Sequence, residues 1–267
     1  MQRPSWAPEG VDIDRPSPAR LYDYALGGVH NFAVDRQLYH QVVATMPDLA
    51  LHARVARAFM RRAVRFCAEA GLRQFLDLGS GIPTRGNVHE VVQRAAPEAR
   101  VMYVDIDPVA VAHSREILTG NPLARVIQAD LRKPDTILND PDVRDLLDLD
   151  QPVAVLMVNV LHFVLEDPTG IVTTFRDAVV PGSPLVISTF TTDTRPEQMA
   201  TSLGMLRQRG AIQTAPRTPA EVERLFTGFE LVEPGLVWAH EWRPDPPVHS
   251  GEAVDRPIML GGVGLKT

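Results

Sequence analysis

The chain has 267 residues, a formal charge of −6 with histidine neutral, 45% hydrophobic residues and one cysteine. That length suits one large α/β domain better than two full ones, and the mild acidity leaves no basic footprint for nucleic acid or an anionic membrane. With Cys67 alone no intramolecular disulfide can form, which fits a reducing compartment. The opening residues carry no signal-like apolar stretch. The longest apolar run, 153–165, is interrupted by Asn159 and His162, short of the roughly 20 residues that a spanning helix needs. A cytoplasmic chain without a membrane span is expected.

Residues 1–17 are rich in proline and read as an irregular lead-in. Residues 18–28 suit a short helix stopping at Gly27-Gly28. From 51 to 70, apolar residues recur at Leu51, Val55, Phe59, Ala63, Phe66 and Cys67 with helical spacing. Arg54, Arg57, Arg61, Arg62 and Arg65 lie largely off that stripe and read as a solvated face. Strands and helices then alternate. Phe75–Leu78 is a short strand leading into Gly79-Ser80-Gly81, and a helix spans about 86–96. Val101–Val104 is strand-like, Asp107-Pro108 caps and opens a helix to about 118, and Ala124–Ala129 is a third strand. Val153–Val158 and Leu185–Phe190 are near-continuous apolar runs, as in strands buried on both faces of a parallel sheet, and Asp167-Pro168 opens a helix between them. Thr218-Pro219-Ala220-Glu221 reads as a capping box. Residues 229–233 and 236–240 flank Pro234-Gly235 as a hairpin. The alternation predicts a doubly wound α/β fold closed by an antiparallel hairpin.

Three acids end three successive strands. Asp77 precedes the glycine turn, where the missing side chains of Gly79 and Gly81 let a ligand approach the backbone. Asp105, 24 residues past Gly81, stands where an acid binds ribose hydroxyls in nucleotide-binding α/β folds, while Asp107 already serves the helix entry. Asp130 can accept from an adenine amine, with the next backbone N–H at Leu131 meeting a ring nitrogen; it reads equally as a turn residue. A dinucleotide fingerprint needs a third glycine, and Thr84 stands there. S-adenosylmethionine (SAM) has no pyrophosphate, so it needs no such glycine, and Asp77 beside a pyrophosphate is repulsive.

The segments Asp77-Leu-Gly-Ser-Gly81, Val104-Asp105-Ile-Asp-Pro108, Gln128-Ala-Asp-Leu131 and Val158-Asn-Val-Leu-His162 resemble the ordered motifs of class I SAM-dependent methyltransferases over roughly residues 50–245. A closer resemblance, over nearly the whole chain, is to a bacterial SAM-methyltransferase family long catalogued as a domain of unknown function. It rests on Ala19-Arg-Leu-Tyr-Asp-Tyr-Ala-Leu-Gly-Gly28, Asn31-Phe32, Asp35-Arg36, Gly81-Ile-Pro-Thr84, Asn87-Val-His89, Glu233-Pro-Gly-Leu-Val237, Trp242-Arg-Pro244 and Gly262-Val-Gly264. It implies a seven-stranded, mostly parallel sheet with a reversed last strand. Pro83 departs from the broad class, where a third glycine often stands.

With that resemblance, residues 1–50 are expected to cap a single SAM-binding unit, 51–267. Cofactor contacts are expected from Asp77, Gly79, Ser80, Gly81, Asp105, Ile106, Asp130, Leu131 and Asn159, and by analogy from Tyr22 and Asn31 of the cap, which read equally as lid packing. His162 is the candidate general base, its ordinary pKa suiting that role, or else a packing residue. His30, His89 and His113 show no metal spacing, so no metal is expected. The expected reaction is methyl transfer from SAM to a small-molecule acceptor, with no nucleic acid or membrane partner. A non-catalytic SAM-binding protein and an NAD-dependent oxidoreductase are the alternatives.

Overall fold

The computed structural model describes residues 4, 6–83, 86–208, 213–245 and 257–267. Its first elements are α1 (Pro18–Ala25), α2 (Ala33–Thr45), α3 (Leu49–Glu69), β1 (Gln74–Leu78), α4 (Val88–Ala95), β2 (Arg100–Asp105), α5 (Pro108–Ile117) and β3 (Ala124–Gln128). There follow α6 (Pro134–Leu138), α7 (Pro141–Leu146), β4 (Ala154–Val158), a 3-10 turn (Leu161–Phe163), α8 (Thr169–Ala178) and β5 (Pro184–Phe190). The chain ends with α9 (Pro196–Gln208), α10 (Pro219–Arg224), β6 (Phe229–Leu231), β7 (Val237–Trp238) and β8 (Met259–Lys266). Thr84 lies outside the described residues.

The helix starts follow the sequence signals. The Asp107 carboxylate accepts the Val109 N–H at 2.8 Å and caps α5. At α10, Glu221 accepts the Thr218 N–H at 2.8 Å while Thr218 Oγ1 accepts the Glu221 N–H at 3.3 Å, closing the expected capping box.

The sheet runs β3-β2-β1-β4-β5-β8-β6, with β7 also paired to β8. Strands β1 to β5 are parallel, and β8 is antiparallel to β5, β6 and β7. The sheet therefore has eight strands, not the expected seven. The expected 229–240 hairpin is also corrected: β6 and β7 do not pair with each other. Both lie on the free edge of β8, β6 opposite Gly264–Lys266 and β7 opposite Leu260 and Gly261. The Pro234-Gly235 turn thus interrupts an edge strand instead of reversing it.

Within the central strands, neighbouring residues are all buried but serve opposite faces. Phe75, Val101, Ala154 and Val186 join the core beneath α3 and α4. Leu76, Met102, Val155 and Ile187 join the core covered by α6, α7 and α8. That two-sided burial is why these strands read as unbroken apolar runs.

The N-terminal segment is tied to the sheet by charge as well as packing. Arg20, buried in α1, donates from Nε to Asp35 Oδ2 of α2 at 2.8 Å and lies 3.7 Å from Asp107 at the start of α5. Ser17 Oγ donates to the same Asp107 carboxylate. Phe32, Ala7 and Val11 pack on Ile82, Val109 and Ala110, while Leu38 and Val42 of α2, with Met46 just after it, pack on Met199 of α9 and on Ile258. These contacts set α1 and α2 over the carboxyl ends of the parallel strands. Strand order reverses there, between β1 and β4, the usual ligand crevice of such sheets. Among the described residues no helix is long and apolar enough to cross a membrane.

The arginine run on α3 is not the uniform solvated face expected. Arg54 and Arg65 are exposed. Arg62 is buried and donates to the carbonyls of Trp242 at 2.8 Å and Ala239 at 2.6 Å, and Arg57 lines the main cavity.

Candidate functional site

A cavity of about 700 Å³ opens at the strand ends, a size common for small-ligand sites. It is lined by every expected cofactor residue except Ser80 and Asn31, and by His162. Ser80 faces a much smaller void shared with Pro83, Asn87, His89 and Tyr103. Asn31 is buried in the loop after α1, where its amide donates to Asp23 at 2.9 Å and to the Gly28 carbonyl at 3.0 Å. Its carbonyl oxygen accepts from Arg36 at 3.0 Å. These bonds fit the lid-packing reading of Asn31, which does not line the cavity.

The glycine turn forms because β1 ends under β2. The N–H groups of Gly79 and Ser80 both donate to the Val104 carbonyl, at 2.8 and 3.2 Å. Gly79 and Gly81 have φ of 72° and 69°, in the left-handed region. A Cβ on Gly79 would stand 2.3 Å from Val160 Cγ2, whereas a Cβ on Gly81 would meet nothing within 4 Å. The first glycine serves packing, and the second, which borders the cavity, leaves open space where a side chain would stand.

Asp105 is held by the turn it faces. Its Oδ2 accepts the Gly81 N–H at 2.7 Å and its Oδ1 accepts the Asp107 N–H at 2.8 Å. Burial nonetheless pushes its pKa up to about 6, with Asp107 adding to the rise and the backbone N–H groups opposing it. Asp77 is raised to about 7, first by burial; the Asp105 charge raises it further, and Arg57 opposes. Two acids whose pKa values stand near physiological pH therefore lie at the floor of one cavity. Ile106, 56% exposed, and Leu131 add apolar surface beside them. Asp130 lines the same region but is engaged by the Arg132 guanidinium, at 2.7 to 3.0 Å.

Asn159 follows β4 with φ 58°, a conformation for which Asn is among the favoured residues. Its N–H donates to the Ser188 carbonyl at 2.9 Å, and its side-chain Oδ1 is buried with no hydrogen-bond partner. A buried orphan acceptor is costly unless a ligand satisfies it. Tyr22 of α1 closes the cavity from above, its hydroxyl donating to the Ala53 carbonyl at 3.0 Å, and burial raises its pKa.

His162 is 1% exposed, and burial with the nearby Arg217 charge lowers its pKa to about 3. The ordinary pKa on which a general-base role was expected is thus not kept; burial favours the neutral ring, as the packing reading expects.

Sequence reading did not single out Arg57, nor the apolar wall of the cavity. That wall gathers Val42, Met46, Phe163, Phe190, Met199 and Ile258 into one cluster.

A sequence profile described as S-adenosyl methyltransferase matches residues 4–267. The fold is shared with a candidate methyltransferase from Thermobifida fusca YX, at 42% identity, TM-score 0.92, and coverage of 99% of this chain and 100% of the other. It is shared also with a DUF574-family protein from Streptomyces avermitilis MA-4680, at 39% identity, TM-score 0.90, and coverage of 96% and 100%. The plantazolicin methyltransferase BamL, solved with a triazolic desmethylPZN analog and SAH, has the same fold at 10% identity, TM-score 0.55, and coverage of 93% and 95%. No curated protein matches the chain.

Proposed function

The chain belongs to the S-adenosyl methyltransferase family, and on that footing we propose that the cavity binds SAM over the glycine turn and delivers its methyl group to a small-molecule acceptor. The observation that carries the placement is the buried, unpartnered Oδ1 of Asn159 beside the open face of Gly81 and the two acids Asp77 and Asp105.

The residues present fit the cofactor. Asp105 is oriented for a ribose diol, and Ile106 and Leu131 offer apolar surface for an adenine ring. Asp77 and Asn159 are suited to an ammonium group, and Arg57 to a carboxylate. Asp130, already paired with Arg132, would share its oxygens with the adenine amine. When bound, SAM supplies a methyl group on a cationic sulfur, ready for in-line displacement. The chain's part is to align the partners and exclude water, which can account for several kcal/mol of barrier lowering in well-oriented cases. The charge of the site favours this ligand. Buried carboxylates raised toward neutrality gain from a cationic partner, whereas the pyrophosphate of NAD would be repelled.

In this reading residues 1–50 cap the cofactor, held by the Arg20 pairs to Asp35 and Asp107, and residues 51–267 carry the site. The work is placed in the cytoplasm, where the lone thiol of Cys67, buried, stays reduced.

Thermal melts check the ligand choice. At about 100 times its Kd, S-adenosylhomocysteine (SAH) is expected to stabilise the fold by about 2.7 kcal/mol, and NAD at the same concentration by nothing measurable. A melt raised by NAD and unmoved by SAM or SAH would reverse the assignment.

A further inference from the structure

Beyond the cofactor end, the cavity continues into a lobe walled by α1, α2, the 3-10 turn, β5 and α9. Its surface is mostly apolar: Met46, Phe163, Phe190, Met199 and Ile258 pack as one cluster and all line the cavity, with the polar Ser202 of α9 and Thr214 also in the lining. His162 sits in that wall. Its ring centroid lies 4.1 Å from that of Phe163 and 4.5 Å from that of Phe190. Its Nδ1 has no hydrogen-bond partner among the described residues.

The acidic groups lie elsewhere. Among the described lining residues the carboxylates are Asp77, Asp105, Asp107 and Asp130, at the ends of β1, β2 and β3 or just beyond them. None belongs to the apolar cluster. An ammonium entering the lobe would leave water without a counter-charge, which is costly, and a carboxylate would find the Arg217 guanidinium near His162 already engaged by the Leu161, Val164 and Glu166 carbonyls. Two phenylalanines and two methionines instead offer the edge, face and sulfur contacts that aromatic rings prefer.

We propose that this lobe is the acceptor subsite and takes an uncharged, planar aromatic molecule whose hydroxyl or ring N–H is hydrogen-bonded by the imidazole of His162. The assignment rests on the methyltransferase reading, since it makes this lobe the acceptor's end of a SAM site. The neutrality of His162 at physiological pH fits an uncharged guest. A protonated imidazole would be an expensive lining for such a lobe, and a neutral one can donate or accept.

The test uses 2-naphthol, naphthalene, 2-naphthoate and 2-naphthylmethylammonium, each titrated by calorimetry into the full chain with and without saturating SAH. 2-Naphthol is expected to bind at least tenfold more tightly than either charged analogue and more tightly than naphthalene. In His162→Phe, which keeps a ring, the preference for 2-naphthol over naphthalene is expected to vanish, a ratio that does not depend on overall stability. In Phe190→Leu both neutral ligands weaken together. The proposal is overturned if a charged analogue binds best, if the naphthol-to-naphthalene ratio survives His162→Phe, or if SAH-bound protein takes no 2-naphthol up to millimolar concentration. Failure of the cofactor reading has a separate signature. In that case SAH gives no heat, while the naphthol series keeps its order and the lobe's preference stands.

Discussion

Asp77→Asn is expected to abolish measurable SAH binding and, at pH 8, to make the unliganded protein more stable. The carboxylate is buried, and its pKa stands at about 7 instead of the ordinary 3.8. A carboxylate whose pKa is raised on folding adds stability below its unfolded value and loses it as the pH climbs through its folded value. At pH 8 Asp77 is charged in a buried site, which opposes folding. The amide has nearly the same shape and no charge. Its melting temperature should exceed that of wild type by about 3–8 °C at pH 8 and match it near pH 4. The same group makes binding pH-dependent. If Asp77 must be ionised to hold the ligand's ammonium, wild-type affinity for SAH falls about tenfold from pH 8 to pH 6. Equal affinity at the two pH values, or an Asp77→Asn protein that is less stable at pH 8, would remove Asp77 from the site. Stability given up to keep a charged group buried is a frequent signature of functional positions.

The second large effect separates the two glycines of the turn. Both have left-handed φ, so either alanine variant costs about 1–2 kcal/mol in the backbone alone. At Gly79 the new methyl also overlaps Val160, 2.3 Å from its Cγ2, and Val160 is fixed in the core. Gly79→Ala is therefore expected to lose about 3–4 kcal/mol in denaturant titrations. At Gly81 the methyl enters open space, so stability falls only by the backbone amount while SAH affinity drops more than about tenfold, because that space is the ligand's. Equal destabilisation by the two variants, or unimpaired binding by Gly81→Ala, would contradict this division of roles.

Much of this site was legible in the sequence because its parts are local. A carboxylate at a strand end, a glycine turn and the next strand's acid are fixed by the chain within a few residues of one another. The parallel sheet then brings successive strand ends together, so Asp77, Asp105 and Asp130 reach one cavity. Less local features escaped. The apolar lobe joins α2, the 3-10 turn, β5, α9 and Ile258 from across the chain, and no single stretch marks it. Strand β8, Met-Leu-Gly-Gly-Val-Gly-Leu-Lys, hides behind three glycines, which weaken a strand signal. The pattern at 236–240, flanking Pro234-Gly235, is the stronger strand signal and so suggests the hairpin instead. Arg62 carried a usable signal, since it shares the stripe of Val55, Phe59 and Phe66 at helical spacing, but its charge placed it with the solvated arginines. The lowered pKa of His162 was not legible, because it depends on an enclosure that no local pattern displays.

The central claim is that this cavity holds SAM through Asp105 and the glycine turn. Calorimetric titration of SAH, with NAD as control, into wild type and into Asp105→Ala tests it most directly, with circular dichroism confirming that both proteins are folded. The account predicts saturable SAH binding by wild type, none of NAD, and a loss of at least about 30-fold in Asp105→Ala, the size expected when hydrogen bonds to a charged group are removed. Unchanged SAH affinity in a folded Asp105→Ala, or NAD binding where SAH does not bind, would contradict it.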